Sequence, residues 1–357
     1  MAHILITGSA GFIGAALAQR LLQDGHQVHG VDNLNDYYEV KLKHARLASL
    51  LEQAAFSFEY CDISERKLIE QLFQRKAFDV VVNLAAQAGV RYSIENPHPY
   101  VDTNLVGFVN LLEGCRHSGV KHLVFASSSS VYGANTKQPF SEQDPVDHPI
   151  SLYAATKKAN EMLAHSYAHL YALPCTGLRF FTVYGPWMRP DMALFKFARG
   201  IMEGRAIPVF NQGKMLRDFT YIDDIIEGVT RIIAQPATAS ENWCSDTPNP
   251  AISYAPYRIF NIGNSESIEL MRYIHALEDS LGKTAQLNLL PMQAGDMPAT
   301  LADTNALQAA VQFQPSTSVE EGVRRFAHWF KSYYAGDYDA LSAAAAQQVL
   351  RCIPSNP

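Results

Sequence analysis

Over the first 180 residues, short apolar runs alternate with amphipathic stretches. Residues 3–8 (HILITG), 26–32 (HQVHGVD), 56–62 (FSFEYCD), 78–85 (FDVVVNLA), 122–128 (HLVFASS) and 174–180 (PCTGLRF) read as strands. Between them, helical spacing covers 12–24, 40–53, 64–75, 98–118 and 151–171. Strand–helix alternation of this kind implies an α/β protein built on a parallel sheet with helices on both faces. Past residue 180 the rhythm breaks. FFTVYGPWMRPDM reads as a loop, 193–203 as a helix, IPVF as a short strand, and RDFTYIDDIIEGVTRIIAQ as further structure. Residues 236–256 are polar and proline-punctuated and read as a surface loop. A strand is expected over 257–264 and a helix over 267–281. The expected organisation is a first domain over 1–180, a smaller C-terminal α/β substrate domain over 181–335, partly interleaved with it, and a peripheral helix and tail over 336–357.

Composition narrows the classes. Apolar residues make up 48% of the 357, enough for a packed core. Net charge is −6 with no lysine-rich arm, which speaks against a nucleic-acid partner. No run approaches the ~18 apolar residues of a membrane helix, and the N-terminus enters a strand without a leader pattern. A cytoplasmic protein without membrane contact is therefore expected. The five cysteines, Cys61, Cys115, Cys175, Cys244 and Cys352, are scattered, fitting reduced thiols rather than a disulfide frame or metal site. No metal is expected.

The stretch ITGSAGFIGAALAQRLLQDGH places Gly8, Gly11 and Gly14 between a strand and a helix. Glycines there permit a tight turn and close backbone approach. The helix start, with Phe12 and Ile13, offers free N–H groups and partial positive charge to a pyrophosphate. Asp32 ends the second strand, 18 residues past Gly14, followed by Asn33. A carboxylate there accepts hydrogen bonds from a ribose diol and repels a 2′-phosphate, so NAD is expected over NADP in a Rossmann-type doubly wound sheet. Asp62 and Ile63 either hold the adenine edge or, through Asp62 or Ser64, cap the next helix. Leu84, Ala85 and Ala86 end the fourth strand in small residues, suited to a flat ligand or to close helix packing.

Tyr153 and Lys157 are four apart and share a helix face. An ammonium beside a phenol, with a positive nicotinamide ring, favours phenolate and lowers a pKa that is otherwise about 10. A phenolate can take a proton from a sugar hydroxyl as hydride leaves the same carbon. The order of motifs (glycine turn, Asp32, serine run after a fifth strand, then Tyr-x-x-x-Lys) resembles the extended short-chain dehydrogenase/reductase family over nearly the whole chain. The resemblance makes Ser128 the partner of the reacting hydroxyl and adds Asn104 to the cofactor contacts. VDNLNDYYEVKLKHARL, FFTVYGPWMRPDMA, RDFTYIDDI and APYRIFNIGN are similar to the nucleotide-sugar branch, and together to the UDP-glucuronate 4-epimerases. By this resemblance NAD is tightly bound and catalytic, a UDP-sugar is the substrate, and helices 98–118 and 151–171 form a homodimer interface.

The resemblance also implies a reaction. Related dehydratases carry an Asp-Glu pair just before VYG, and related decarboxylases a Glu at the second position; here Ser129 and Ser130 stand there. An epimerase needs no such carboxylate. A uronic acid oxidised at C4 is a β-keto acid prone to lose CO2. Its carboxylate must be kept from aligning the breaking bond with the carbonyl, and Ser129, Ser130, Thr182 and Arg189 are the candidates. Thr182 stands where UDP-glucose epimerases usually have Asn. Arg217 resembles the family's diphosphate-binding arginine, Arg91 joins the substrate set, and Gln293 replaces an expected arginine that Arg258 could compensate. His165 and His169 are read as packing or surface groups, Glu161 as structural, and Tyr37 and Tyr38 as either entrance or core. The other readings are a UDP-glucose 4-epimerase, a UDP-glucuronate decarboxylase, a net oxidoreductase and a non-catalytic NAD sensor.

Overall fold

The computed structural model describes residues 1–293, 296–335 and 346–347. The terminal helix and tail expected over 336–357 thus lie outside the described residues, that last pair apart.

The strand–helix alternation is realised as β1 (His3–Thr7), α1 (Phe12–Gln23), β2 (Gln27–Asp32), α2 (Val40–Leu51), β3 (Phe56–Tyr60), α3 (Arg66–Arg75) and β4 (Val80–Asn83). A single turn, α4 (Tyr92–Glu95), leads into α5 (His98–Tyr100), π-helical turns over Val101–Gly107, and α6 (Phe108–Ser118). Then come β5 (His122–Ser128), α7 (Leu152–Tyr171) and β6 (Cys175–Phe180). The rest comprises β7 (Thr182–Tyr184), α8 (Ala193–Glu203), β8 (Ile207–Val209), β9 (Leu216–Tyr221), α9 (Ile222–Ile233), β10 (Tyr257–Ile262), β11 (Ser267–Glu269), α10 (Leu270–Leu281), β12 (Leu287–Leu289), α11 (Asn305–Val311) and α12 (Val319–Ala335).

Seven parallel strands form the main sheet in the order β10-β6-β5-β4-β1-β2-β3. Alternation along β1 sends Ile4 and Ile6 into one core with α1 and α9, and Leu5 into the other with α3 and α6. Both faces are covered, which is why these strands read as continuous apolar runs. Strand order reverses between β1 and β4, and a crevice opens at their C-terminal ends. β10 returns from far along the chain to pair with β6.

α9 (IDDIIEGVTRII) is rich in β-branched residues, yet it is a helix. Ile222, Ile225, Ile226, Val229, Ile232 and Ile233 all face the core. Burying each contributes roughly 1.5–3 kcal/mol, against a propensity cost below about 0.7 kcal/mol per residue, so burial decides. Two local readings differ from the structure. The loop expected over 180–192 contains β7, whose Thr182 pairs with Phe219 of β9. The helix expected from 267 starts at Leu270, because Ser267–Glu269 adds an antiparallel strand to β9. Pairing with a partner distant in sequence leaves no periodicity in three residues.

Candidate active site

The crevice at the strand-order reversal is a cleft of about 400 Å³. Its floor is the glycine turn. Gly8 has φ +71, and a Cβ on it would come within 2.8 Å of the Ala85 nitrogen at the end of β4. A Cβ on Gly14 would stand 2.1 Å from the Gly8 carbonyl oxygen, and one on Gly11 2.9 Å from the same atom. The turn therefore closes only with glycine at these places. α1 starts with Gly11 as its cap residue and no side-chain cap. The first-turn N–H groups of Phe12, Ile13 and Gly14, which have no intrahelical partner, border the cleft.

Asp32 and Asn33 line the same end. The Asp32 carboxylate accepts N–H groups from Ala10 at 3.0 Å and Leu34 at 2.8 Å, one on each oxygen. Each oxygen keeps a lone pair for a ribose hydroxyl. Asn33 donates to Asp62 at 2.7 Å. Asp62 lines the cleft beside Ile63 and also accepts from the Ser64 N–H at 2.9 Å and hydroxyl at 2.7 Å, so it braces the turn before α3 from within the cleft wall. Leu84, Ala85 and Ala86 also line the cleft. These features fit a dinucleotide: a cradle that a Cβ would fill, unclaimed amides and an acceptor at the ribose position.

The chemical end is built by β5 and α7. Ser151 caps α7 by accepting the Ala154 N–H at 3.1 Å, which sets Tyr153 in the first turn and Lys157 one turn on. Ser128, at the end of β5, lies near enough to the Tyr153 hydroxyl to favour its phenolate, and accepts the Ser130 N–H at 3.1 Å. Lys157, 2% exposed, donates to the Ala126 carbonyl at 2.9 Å, and burial pulls its ammonium down to about 8. Burial pushes the Tyr153 phenol up, against the Ser128 hydrogen bond and the Arg189 charge, which lower it. Lys157 is not among the groups that shift Tyr153 here. The lysine amine is turned to a main-chain carbonyl, and burial dominates both groups.

Ser129, Ser130, Thr182 and Arg189 line this end. Arg189 pairs with Asp191 at 3.1 Å. Burial works against its charge, but Asp191 and the Tyr38 and Tyr37 hydroxyls outweigh it and raise its pKa. Tyr37 reaches Asp191 at 3.4 Å, and both Tyr37 and Tyr38 border the cleft, which places them at the site rather than in the core.

Four expected contacts lie outside the lining. Asn104 is buried with its amide committed: its carbonyl oxygen accepts the Gln87 N–H at 2.8 Å, and its nitrogen donates to Gln87 O and Thr156, both at 3.1 Å. It braces the wall instead of facing a ligand. Arg258 is a further correction. It sits near the start of β10, donates to Thr176 at 3.2 Å and to the Gln235 carbonyl, and ties the sheet at the end away from the cleft. Arg91 pairs with Asp296 at 2.8 Å and stacks over Phe210 at 4.9 Å. Arg217 feels the same Asp296, while burial lowers its pKa. These two arginines form a separate charged group. Glu161 is buried against Arg179 at 2.8 Å and Ser127 at 2.6 Å, and His165 hydrogen-bonds Ser253 at 2.8 Å, so both are structural.

Lys43 and Gln87 line the cleft although no motif singles them out. Lys43 donates to the Asn35 carbonyl at 2.6 Å; burial lowers its pKa to about 8, against the pull of Asp32. In an amphipathic helix a lysine reads as a solvated residue. The one available signal was its place beside Leu42 and Leu47, which α2 buries with it.

Fold and site define an enzyme with a dinucleotide cleft over a glycine turn and with Ser128, Tyr153 and Lys157 lining its other end. The chain belongs to the NAD dependent epimerase/dehydratase family, which matches residues 4–263. It is 57% identical over 330 residues to an uncharacterized 37.6 kDa protein of Escherichia coli O111:H-, covering 92% of this chain and 98% of that one. It is 48% identical over 331 residues to the probable UDP-glucuronate 4-epimerase of Rhizobium meliloti (strain 1021), covering 92% and 97%. The UDP-glucuronic acid 4-epimerase of Bacillus cereus, solved in complex with UDP-glucuronic acid and NAD, is similar with a TM-score of 0.82 and 33% identity over 93% of this chain and 100% of that one.

Proposed function

We propose that the protein interconverts UDP-glucuronate and UDP-galacturonate by epimerisation at C4, through a transient 4-keto sugar. The observation that carries this is the meeting of Ser128, Tyr153 and Lys157 with Ser129, Ser130, Thr182 and Arg189 at one end of a dinucleotide cleft. The relatives named UDP-glucuronate 4-epimerase support it. Gly8, Gly11, Gly14 and Asp32 would hold NAD, which when bound supplies a hydride acceptor for the sugar C4, returns that hydride, and adds positive charge beside Tyr153. The cofactor is expected to stay bound, since the cycle has no net redox change.

Ser128 and Tyr153 bind the C4 hydroxyl, and Tyr153 takes its proton as hydride leaves. The 4-keto sugar turns over, and Tyr153 returns the proton to O4 on the other face. Lys157 holds the Ala126 carbonyl and so fixes the first turns of α7 against β5. Arg189, with the hydroxyls of Ser129, Ser130 and Thr182, holds the sugar carboxylate so that its bond to C5 does not align with the C4 carbonyl. With serine at 129 and 130 there is no carboxylate to drive dehydration or decarboxylation. In this reading Arg91 and Arg217, grouped around Asp296 beyond the cleft lining, would bind the substrate diphosphate.

The remaining parts of the reading are a homodimer and a cytoplasmic location. Val106 on the rod that ends in α6 and Met162 on α7 are exposed apolar residues, 41% and 64% accessible, suited to a four-helix contact with a second copy. Cys61, Cys115, Cys175 and Cys244 are free thiols, suited to a reducing compartment. No helix among the described residues is long and apolar enough to cross a membrane. The boundary near residue 180 divides cofactor from substrate functions, with β10 crossing back.

The deciding experiment is NMR of the purified protein with UDP-glucuronate in D2O and no added NAD. UDP-galacturonate without deuterium at C5 is expected. A UDP-pentose as sole product would replace the reading with decarboxylation. Turnover of UDP-glucose alone would move it to the neutral sugar and take Arg189 out of its role.

A further inference from the structure

One buried side chain outside the cleft joins the cofactor turn to the substrate loop. Arg46, on α2, is 3% exposed. Its Nη1 donates to the Ala10 carbonyl at 2.9 Å and to the Tyr38 hydroxyl at 2.7 Å. Its Nε and Nη2 both donate to the Trp187 carbonyl, at 3.1 and 2.6 Å. Ala10 lies inside the glycine turn, and its own N–H is the one held by Asp32. Trp187 stands two residues before Arg189 and has φ +66, a left-handed conformation that bulky residues rarely adopt. Its indole is packed against Trp329 at 5.2 Å and Tyr333 at 4.9 Å. A chain of contacts therefore runs from Asp32 through Ala10, Arg46 and Trp187 to the turn that carries Arg189. A planar fork with fixed N–H groups holds the two carbonyls and the Tyr38 hydroxyl in one set geometry; an ammonium, a point charge on a flexible stem, does not reproduce it.

We propose that Arg46 is a positioning residue that fixes the strained Trp187 turn against the cofactor turn, so that Arg189 restrains the sugar carboxylate while C4 is a ketone. This rests on the uronic-acid reading above. If the restraint slackens, the carboxylate can swing until its bond to C5 lies along the carbonyl π system. The C5–C6 bond then breaks, its electron pair enters the C4 carbonyl as an enolate, CO2 leaves, and C5 takes a proton from water. The step needs no oxidant beyond the one that made the ketone.

The test is product partition in Arg46→Lys and Arg46→Gln, given UDP-glucuronate. UDP-galacturonate and the decarboxylated products (the UDP-4-keto-pentose, or the UDP-pentose where the hydride has returned to C4) are quantified by anion-exchange chromatography, with bound NAD and thermal midpoint measured on the same samples. The ratio of products is set per turnover and does not depend on how much of a variant is folded. The expected result is a shift of about tenfold or more toward pentose, with a raised KM for UDP-glucuronate and NAD retained. An unchanged ratio and KM, even with reduced kcat or midpoint, would show that Arg46 only supports the fold and would overturn the proposal. Loss of NAD and of a cooperative transition in both variants would overturn it in the same way. Unmutated protein that leaves UDP-glucuronate unchanged would remove the substrate reading itself, before any variant is compared.

Discussion

Tyr153 is where opposing influences meet. Burial disfavours its phenolate, while the Ser128 hydrogen bond and the Arg189 charge favour it. Its ring is held edge-on to Tyr100 at 6.2 Å, a contact that does not involve the hydroxyl. Tyr153→Phe is expected to keep fold and NAD but to lower kcat by roughly 10²–10⁴-fold, with little change in KM. Steady-state kinetics with UDP-glucuronate check this; a loss under tenfold would mean another group carries the proton. At this scale the sequence was informative wherever a residue type is demanded by backbone geometry or by chemistry. Gly8, Gly11 and Gly14 could be named because no side chain fits there, and Tyr153 with Lys157 because four residues make one helical turn. Arg258 and Asn104 were misplaced because sequence gives the type of a polar residue but not the end of the strand or the direction of the side chain.

Between elements, a buried polar network joins β5, α7, β6, β10 and the segment after β5. Ser127 and Arg179 both contact Glu161, Arg179 donates to the Tyr132 hydroxyl at 3.1 Å, Tyr132 donates to Asn261 at 2.6 Å, and the Asn261 N–H donates to Glu142 at 2.7 Å. Burial pushes the Glu142 carboxyl up to about 7 from 4.5. The native state then binds this proton more tightly than the unfolded chain. Stability from this group is full below pH 4.5 and falls as pH rises through 7, by about 3 kcal/mol at most. Glu142→Gln keeps the acceptor for Asn261 and removes the titration. Urea unfolding at pH 5 and pH 8 is therefore expected to show a smaller drop for the variant than for the parent. Parallel behaviour of the two proteins would mean that Glu142 is not protonated in the fold. None of this network was legible beforehand except Glu161, because its members come from five separate stretches of chain.

At the scale of the whole molecule, the exposed apolar residues on the two long helices lead to a prediction about assembly. Light scattering behind size exclusion is expected to give about twice the 39.6 kDa chain mass, and Val106→Glu combined with Met162→Glu is expected to give the chain mass. A monomeric parent would end the dimer reading. The sequence by itself determined the order and kind of the main elements, the parallel sheet, the glycine turn with Asp32, and the pairing of Tyr153 with Lys157, while Ser128 was implied by the family resemblance. Each of these depends on local periodicity or on spacing within one strand–helix unit, where neighbours in sequence are neighbours in space. The tertiary structure alone decided that β7 and β11 are strands, that β10 returns to the main sheet, that Lys43 faces the cleft, and that Arg46 ties Ala10 to Trp187. Those features depend on which distant segments come together and how their side chains turn. Packing fixes both only once the cores on the two faces of the sheet have closed.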